Sequence, residues 1–552
     1  RGAAWCAAVA SIAGTVHAAS TDLGPTDDVE MAINMLQPGD ELVLQGGDYT
    51  LTDAWHIAVA GTQAAPIVVR AKDGEVPLLN RPAVDQNIVD FDDVQYLTIK
   101  GIRFSGGSAG LRFINANFVT VQDCEVFNTA DVAISANSGM DYQGLSIIHN
   151  HLHNTGGTGE GMYIGCNDNG CRVHDSLFAN NYIHDTKGPN VSQGDGIEIK
   201  EGSYNNVVRG NVIHDTGYPC IITYSTVGNG APNVIEGNLL WNCGDHGIQS
   251  AADVIIRNNI ILGAASNGIA NQPHQAGTPA NIQILHNTIL APQNDAIAST
   301  GITGSVVIAN NAVYAAQGNA IRVAGDLTGV IVSGNVGEGA LSGVMTGLAP
   351  GSLANDFVSA SYSGALPNDV FPTAASALIA AGDPQYAVMD DFNGTPRAGS
   401  IDVGAYLYAA MNPGSPLADD FKAETPGINM GVGGNTNAGG TVGTGGTPSA
   451  DGGTTMPPPN GGTGAANTGG TTATNHAGSG DTHNAAGAPA ISSGGASGGT
   501  TATNHTATNS GTTSPTTNTT SGCGCALTPR ASSPWPLLSW AALMFLRRSR
   551  KK

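Results

Sequence analysis

Short apolar strands separated by polar turns recur along most of the chain. Segments of the form x-Asn-x-apolar-x, such as HNHLH, NNYIH and GNVIH, repeat between residues 149 and 314, and successive repeats are 21 to 31 residues apart. This spacing fits one supersecondary unit per repeat with loops of variable length. The repeated asparagines are Asn150, Asn181, Asn211, Asn238, Asn259, Asn287 and Asn311.

A second short strand with Gly or Ala before an apolar residue accompanies each repeat, as in GEGMYIG, GDGIEIK and DHGIQS. Two or three short strands per repeat, without helical periodicity between them, are typical of a parallel β-solenoid. Asparagines stacked from coil to coil can satisfy one another's amide groups. The pattern predicts an all-β right-handed parallel β-helix. An antiparallel sandwich would need hairpin turns and closer two-sided alternation.

A solenoid needs caps because its open ends would otherwise expose core and strand edges. Residues 25–40, PTDDVEMAINMLQPGD, predict an amphipathic capping helix with Val29, Ile33 and Leu36 on its apolar face. We expect the β-helix domain to occupy residues 19–408.

The two ends of the chain have different compositions. Residues 1–18 combine a basic start, a small apolar run and small residues, which predicts a secretory signal peptide. Residues 409–521 are rich in Gly, Thr, Asn and Ala and predict a disordered linker, because they cannot bury enough apolar area to offset backbone entropy. Residues 522–552 contain a Cys-Gly-Cys motif, a short hydrophobic segment and a basic tail.

These last three features, in this order, resemble the C-terminal sorting signal of myxobacterial surface proteins. The resemblance implies processing near Cys523 or Cys525. It also implies export with retention at the cell surface, at the outer membrane, or secretion after processing. Membrane contact is then expected only through the C-terminal segment, since the hydrophobic stretch is shorter than the roughly 20 residues of a transmembrane helix.

Charge narrows the range of partners. The chain has 21 Lys and Arg against 43 Asp and Glu, for a formal net charge of -22. This balance argues against nucleic acid as a partner. It leaves a neutral polymer, or an anionic polymer that reaches the protein through bridging cations. We expect a monomer.

Export would permit disulfide bonds. Outside the two ends the chain has five cysteines, and this odd number leaves one unpaired. Cys166 with Cys171, and Cys220 with Cys243, are the most plausible pairs, which would leave Cys124.

The stretch GDGIEIKEGS concentrates charge in a chain of which only 12% is charged. If Ile197 faces the core, strand alternation directs Glu198 and Lys200 outward. Coils stack about 4.8 Å apart, so Tyr163 and Tyr224 on the neighbouring coils would lie beside them.

Further polar residues are expected at the border of this patch. Asp195 precedes the strand and Glu160 precedes the strand of the previous coil, so both would line the rim. His246 and Gln249 lie on a later coil and are candidate substrate-binding residues.

The N-terminal third carries a recognisable order of motifs: the helix, then PGDELVL, GDYT, PIVVRA and YLTIKGIRF. This order resembles the chondroitinase-B and alginate-lyase family of parallel β-helix polysaccharide lyases. The resemblance implies a uronate-containing extracellular polysaccharide as partner and cleavage by β-elimination. In that family a Glu-rich strand followed by a Lys does this work, and IEIK is similar to it. The next coil, PCIITY, has no arginine where the family has a catalytic one.

Such a lyase must neutralise the substrate carboxylate, remove the adjacent proton and protonate the leaving oxygen. Under the resemblance, Glu160, Asp195 and Glu198 would hold Ca²⁺, which prefers oxygen ligands. Lys200 with a lowered pKa would be the base. Tyr224 or Tyr163 would be the acid.

Three alternatives remain open at this point. The protein could be a non-catalytic carbohydrate-binding or adhesive surface protein. It could be a glycoside hydrolase, which needs only paired carboxylates at a suitable separation. Glu198 and Lys200 could also form a solvated ion pair without function. Histidines at repeat positions are interpreted as repeat residues and not as metal ligands; they are His149, His151, His153, His184 and His214.

Overall fold

The computed structural model describes residues 20–291, 293–363 and 368–409. The predicted signal peptide, the linker beyond residue 409 and the C-terminal segment lie outside the described residues and stay predictions. Of the helices in the part of the chain that the structure describes, none has the length and apolarity needed to cross a membrane.

The chain forms a right-handed parallel β-solenoid of about 13 turns, which confirms the predicted fold. Each turn contributes strands to three parallel sheets. The first sheet consists of Ser20–Leu23, Glu41–Leu44, Ile67–Ala71, Leu97–Lys100, Thr120–Gln122, Ser146–Ile148, Leu177–Ala179, Val207–Arg209, Asn233–Glu236, Val254–Arg257, Ile282–Leu285, Val306–Ala309 and Val330–Ser333.

The other two sheets share their last strands, because Ala312–Gly325 and Asn335–Ser342 are long enough to run through both. The second sheet begins with Gly47–Thr50, Pro77–Arg81, Arg103–Gly106, Glu125–Phe127, His151–His153, Tyr182–Thr186, Val212–Thr216, Leu239–Trp241, Ile260–Leu262 and Thr288–Ala291, and ends with Leu348–Pro350. The third begins with Trp55–Ile57, Val89–Gln95, Leu111–Asn117, Ile134–Ala136, Met162–Ile164, Ile197–Ile199, Ile221–Thr223, Ile248–Ser250, Ile269–Asn271 and Ile297–Ile302.

The repeated asparagine stands at the corner between the first and second sheets. The residue before it has a left-handed backbone, as at Asn180 (φ 56°) and Gly210 (φ 63°). Asn and Gly tolerate this conformation best, which explains the recurring NN and GN pairs. The Oδ1 atom of Asn211 accepts from the Asn181 backbone N–H and side-chain Nδ2, both at 2.9 Å. The predicted ladder is confirmed and continues to Asn335.

The predicted capping helix is confirmed as Val29–Asn34. The Asp28 side chain caps it by accepting from the Met31 N–H at 3.1 Å. Val29 and Ile33 are buried in the hydrophobic core, and Leu36 packs against it just beyond the helix.

The chain after the last coil folds back along the outside of the solenoid. It contains the helix Leu353–Asp356, the antiparallel pair Phe357–Ser359 and Asp369–Pro372, and the 3₁₀ turn Pro384–Tyr386. Phe371 and Tyr406 from this segment join one apolar cluster with Trp241, Leu262 and Tyr314 of the second sheet. The segment therefore covers the outer surface of the second sheet on the later coils.

Both expected disulfides are present. Cys166 is bonded to Cys171 and Cys220 to Cys243, while Cys124 is free and buried. The first bond closes the loop that holds the 3₁₀ turn Asn167–Asn169, near the short strand pair Tyr142–Gln143 and Val173–His174.

Candidate active site

The third sheet places the predicted patch in the expected register. Glu198 is paired with Tyr163 on the preceding coil and with Ile222 on the following one. Ile197 and Ile199 on either side of Glu198 face the core and are fully buried. Glu198 therefore points out of the solenoid, as strand alternation requires.

Three carboxylates converge at this point. One oxygen each of Glu160, Asp195 and Glu198 can be chosen so that all three lie within 4.8 Å of one another. Asp195 follows Gly194, whose φ is +82° and at which a Cβ would lie 1.9 Å from the Thr186 carbonyl oxygen. Only glycine fits at this position, so the backbone conformation at Gly194 fixes the position of the Asp195 backbone.

Each of the three carboxylates keeps one unused acceptor. Glu160 Oε1, Asp195 Oδ1 and Glu198 Oε2 are buried and have no hydrogen-bond partner among the described residues. Buried polar atoms are normally paired, and unpaired carboxylate oxygens are especially costly. Three of them in one place form an oxygen-rich donor set of the kind that suits Ca²⁺.

The other oxygen of Glu198 is fully engaged. Glu198 Oε1 accepts from Lys200 Nζ, and from the Tyr224 hydroxyl at 2.9 Å. Lys200 Nζ also lies over the Tyr163 ring, 4.5 Å from its centroid, and over the Tyr224 ring at 5.1 Å. The expected grouping of Glu198 and Lys200 between two tyrosines is therefore present.

The site is buried, and this differs from the expected surface patch. Glu198 is 2% exposed and Lys200 5%. Asp195 and Glu160 are buried as well, so they do not form an open rim. The interpretation of Glu198 and Lys200 as a solvated ion pair is therefore wrong.

Residues 272–277, here called the strap, follow the strand that lies three coils beyond Glu198 and contribute to this burial. The His274 ring packs against the Tyr224 ring, with 4.9 Å between centroids. The Ala276 N–H donates to Glu201 Oε1 at 3.0 Å, and Gln275 Nε2 donates to Asn167 Oδ1 at 3.3 Å. The strap thus ties the site to the disulfide-closed loop.

Asp195 and Glu160 hold their protons more strongly than usual. Burial, followed by the negative charges of Glu198 and Glu160, raises the pKa of Asp195 well above its ordinary value. Burial also raises the pKa of Glu160, against a 2.6 Å hydrogen bond from the Thr158 hydroxyl. Without a cation, the protein thus resists placing three negative charges together.

Lys200 and the tyrosines are also shifted. Burial opposes the charge on Lys200, but the neighbouring Glu198 carboxylate outweighs it, so the pKa of Lys200 is raised. The expectation of a lowered lysine pKa is therefore wrong for this arrangement. Burial raises the pKa of both the Tyr163 and the Tyr224 hydroxyl. The Lys200 charge opposes this effect at Tyr163, and the Glu198 charge adds to it at Tyr224. Both tyrosines keep their protons at neutral pH.

The two candidate substrate-binding residues lie outside the acidic cluster. Gln249 is paired with Ile222 of the preceding coil, so it occupies the same outward-facing position one coil further on, and it is buried. His246 Nδ1 accepts from the Asn267 backbone N–H at 3.1 Å, and His246 Nε2 lies 3.7 Å from Asp245 Oδ1. Neither partner of His246 belongs to the cluster.

Sequence reasoning missed Thr158 and His274, which orient or cover the site. It included Glu201 in the charged stretch GDGIEIKEGS but gave it no role. Thr158 lies two residues before Glu160, so the same register argument could have found it. His274 comes from a loop that folds across two coils, and no local pattern gives that path.

A separate open pocket of about 660 Å³ lies between the first sheet and residues 388–394. It contains Arg209, Glu236 and Arg257, and both arginines pair with the Glu236 carboxylate. Because both arginines are already paired with this carboxylate, we place the candidate chemistry in the third-sheet cluster.

Comparison with known proteins shows a family model and relatives to which the chain is similar. Residues 8–281 match the family model described as Pel9A-like, right handed beta helix region. A 237-residue stretch is 25% identical to pectate lyase PEL9 of Emericella nidulans and covers 43% of this chain. The match spans about half of that protein, 47% of its length.

Two solved structures also align with the chain. The crystal structure of pectate lyase Pel9A aligns with a TM-score of 0.45 at 16% identity, covering 70% of this chain and 97% of that one. An alginate lyase from Paenibacillus sp. aligns with a TM-score of 0.34 at 19% identity, covering 60% of this chain and 97% of that one. The chain is therefore a right-handed parallel β-helix protein, and its residues 8–281 are similar to the Pel9A-like right-handed β-helix region.

Proposed function

We propose that the protein cleaves an extracellular uronate-containing polysaccharide by β-elimination at the Glu160, Asp195, Glu198 and Lys200 cluster. The observation that carries the proposal is the set of three unpaired buried carboxylate oxygens beside a buried lysine. The partial match to a protein described as a pectate lyase supports a uronate polymer as the substrate class.

Glu160, Asp195 and Glu198 fit a Ca²⁺ ion because they offer three oxygens that no donor in the described part of the chain satisfies. When bound, the ion would neutralise the substrate carboxylate and favour loss of the proton next to it. Glu198 can serve the ion through Oε2, because Oε1 is the atom that accepts from Lys200 and Tyr224.

Lys200 is the group placed to take the substrate proton. Its Nζ lies between two aromatic rings that exclude water and fix its direction. Because the Glu198 carboxylate raises the pKa of Lys200, Lys200 must first release its own proton to solvent. A cation held by Glu198 would favour this release by offsetting the carboxylate charge. Tyr224 and Tyr163 retain their protons and can donate to the leaving oxygen. Tyr163 is the partly exposed member of the group, on the side that a polymer can approach.

The strap must shift for a polymer to reach the carboxylates, since each of them is at most 2% exposed. The strap is held to the site by one backbone hydrogen bond and one ring contact, with one further side-chain hydrogen bond to the disulfide loop. These three contacts are separate from the hydrogen bonds that pair the strands of neighbouring coils.

A glycoside hydrolase is the second candidate, and one observation favours it. Asp195 and Glu160 both have raised pKa values, which is the condition of a carboxylic acid that donates a proton to a glycosidic oxygen.

One assay separates these functions. The purified full chain is incubated with polygalacturonate, alginate, chondroitin and a neutral glucan, with Ca²⁺ or with a chelator. We expect ultraviolet absorbance from an unsaturated product on a uronate polymer, only with Ca²⁺, and none on the glucan. New reducing ends without that absorbance would indicate a hydrolase. Binding without any product would overturn both enzymatic proposals in favour of a carbohydrate-binding protein.

We further propose that the protein is exported and kept at the cell surface through its C-terminal segment, as the sequence of residues 522–552 suggests. Mass analysis of surface material should show loss of the residues after Cys525. Recovery of an intact end through Lys552 would contradict the proposal.

A further inference from the structure

Histidines and aromatic rings cover the outer face of the second sheet on its middle coils. Phe127, His153, His184, His214 and Trp241 form one column, in which each residue is paired with the next coil. Neighbouring rings stack at centroid distances of 4.1 to 5.3 Å.

Three of the imidazoles on this face form a compact group. His151 stands in the adjacent column, and one ring nitrogen each of His151, His153 and His184 lies within 4.8 Å of the others. Their side chains are 10%, 13% and 16% exposed, so an ion can reach them from solvent. The group is on a different sheet from the acidic cluster.

In two of these rings, one nitrogen lies within hydrogen-bond distance of a carboxylate. His184 Nδ1 lies 2.8 Å from Asp185 Oδ2, and His153 Nε2 lies 3.0 Å from Glu125 Oε1. A carboxylate only accepts, so these two nitrogens carry the hydrogens. In the neutral rings the lone pairs are then on His184 Nε2 and His153 Nδ1.

In its neutral form, His151 cannot satisfy both of its nitrogens within the part of the chain that the structure describes. Its Nε2 lies 2.7 Å from His184 Nε2, so a proton or a cation must stand between the two atoms. If His151 Nε2 supplies the proton, its Nδ1 is left bare, buried and unpartnered, 4.0 Å from Glu125 Oε1. A bound cation removes this conflict, because the hydrogen of His151 can then sit on Nδ1, facing Glu125.

We propose that His151 Nε2, His184 Nε2 and His153 Nδ1 bind a divalent transition-metal ion of the imidazole-preferring class, such as Zn²⁺. Neutral imidazole is a preferred ligand of these ions and a poor one for Ca²⁺. Asp185 and Glu125 fix the orientation of the ligand rings, which is the usual arrangement around metal-bound histidine. The site is independent of the proposed polysaccharide cleavage.

The test uses the full chain, prepared without a polyhistidine tag and stripped of metal. Zn²⁺ is titrated calorimetrically, and Co²⁺ is used as a spectroscopic probe of nitrogen ligation. We expect one strong site per chain whose affinity falls by more than about 100-fold in His151→Ala and His184→Ala. His56→Ala is the matched control, since His56 is an exposed histidine on another strand, and it should bind as the wild type does.

A milder variant guards against misfolding. Asp185→Asn keeps the size of an exposed residue in a left-handed backbone conformation that Asn also tolerates. It should weaken Zn²⁺ binding by about 10- to 100-fold, the range expected for a residue that orients a ligand. Absence of a strong site in the wild type would overturn the proposal. So would Zn²⁺ affinity that is unchanged in both histidine variants and in Asp185→Asn.

Discussion

Asp195 is the residue at which the energetic conflict of the acidic cluster is greatest. It is 2% exposed, one of its oxygens has no partner among the residues that the structure describes, and Glu160 and Glu198 lie beside it. An unsatisfied buried polar group costs about 1–3 kcal/mol, and more when it is charged. A protein tolerates such a cost where a cation or a reaction uses the group.

The first prediction is that Asp195→Asn does not destabilise the metal-free protein but weakens its binding of metal. Because the pKa of Asp195 is raised on folding, the unfolded chain loses this proton first, and stability falls as pH rises above the ordinary aspartate range. Asp195→Asn removes that effect. The metal-free variant should therefore be at least as stable as the wild type at pH 7 in chemical denaturation.

With Ca²⁺ bound, the wild type should become more stable than Asp195→Asn. A ligand at 100 times its Kd adds about 2.7 kcal/mol to the unfolding free energy. We expect this gain in the wild type and its loss in Asp195→Asn. Equal stabilisation of both proteins by Ca²⁺ would exclude Asp195 as a ligand.

The second prediction concerns acid stability and His286. This side chain is fully buried, and burial together with the Arg397 charge lowers the pKa of His286 to about 3. Between pH 6.5 and 3 the unfolded chain therefore binds a proton that the folded protein refuses. The unfolding free energy should fall with decreasing pH by about 1.4 kcal/mol per pH unit from this one group.

His286→Asn should make that decline shallower between pH 6.5 and 4.5, where carboxylates contribute least. Asn occupies the same repeat position at Asn258 and Asn310, so the left-handed backbone is retained. His149→Asn is the control, since His149 stands at the equivalent position but is partly exposed. An unchanged slope in His286→Asn, measured by denaturation over this range, would contradict the assignment.

Among the elements, the asparagine ladder ties each coil to the next. Asn238 Oδ1 accepts from the Asn211 N–H and Nδ2, and Asn238 Nδ2 donates to the Val208 carbonyl and to Asn259 Oδ1. The ladder was predictable because one residue type returns at one corner. Asn335 escaped the pattern because its segment, GNVGE, has no apolar residue two positions after the asparagine.

The third prediction removes one rung of the ladder. Asn238→Ala leaves the buried Asn211 N–H and the Val208 carbonyl without these partners, and each loss costs about 1–3 kcal/mol. The unfolding free energy should therefore drop by several kcal/mol. Asn393→Ala, at an exposed turn, should change it by less than about 0.5 kcal/mol. Similar denaturation midpoints for the two variants would mean that the ladder adds no stability.

At the scale of the whole molecule, the sequence predicted the solenoid and the relative register of Tyr163, Glu198 and Ile222. Both follow from a period of two along each strand and from the repeat length. The burial of the site could not be predicted, because residues 272–277 reach it by a path that no periodicity specifies. For the same reason, the sequence did not show that the chain near Phe371 and Tyr406 covers the second sheet.

Turnover by Lys200 variants tests whether Lys200 removes a proton from a uronate substrate. Lys200→Ala removes the base. Lys200→Arg keeps a positive charge beside Glu198 but cannot lose its proton at working pH. Lys187→Ala, which alters an exposed lysine paired with Asp215, is the control.

The deciding measurement is the rate of unsaturated-product formation with Ca²⁺ on the uronate polymer that the wild type cleaves. Since general-base catalysis contributes about 100- to 10,000-fold, both Lys200 variants should be slower than the wild type by at least about 100-fold. Lys187→Ala should match the wild type. If Lys200→Arg or Lys200→Ala retained turnover within about threefold of the wild type, Lys200 would not be the base and the proposed mechanism would be wrong.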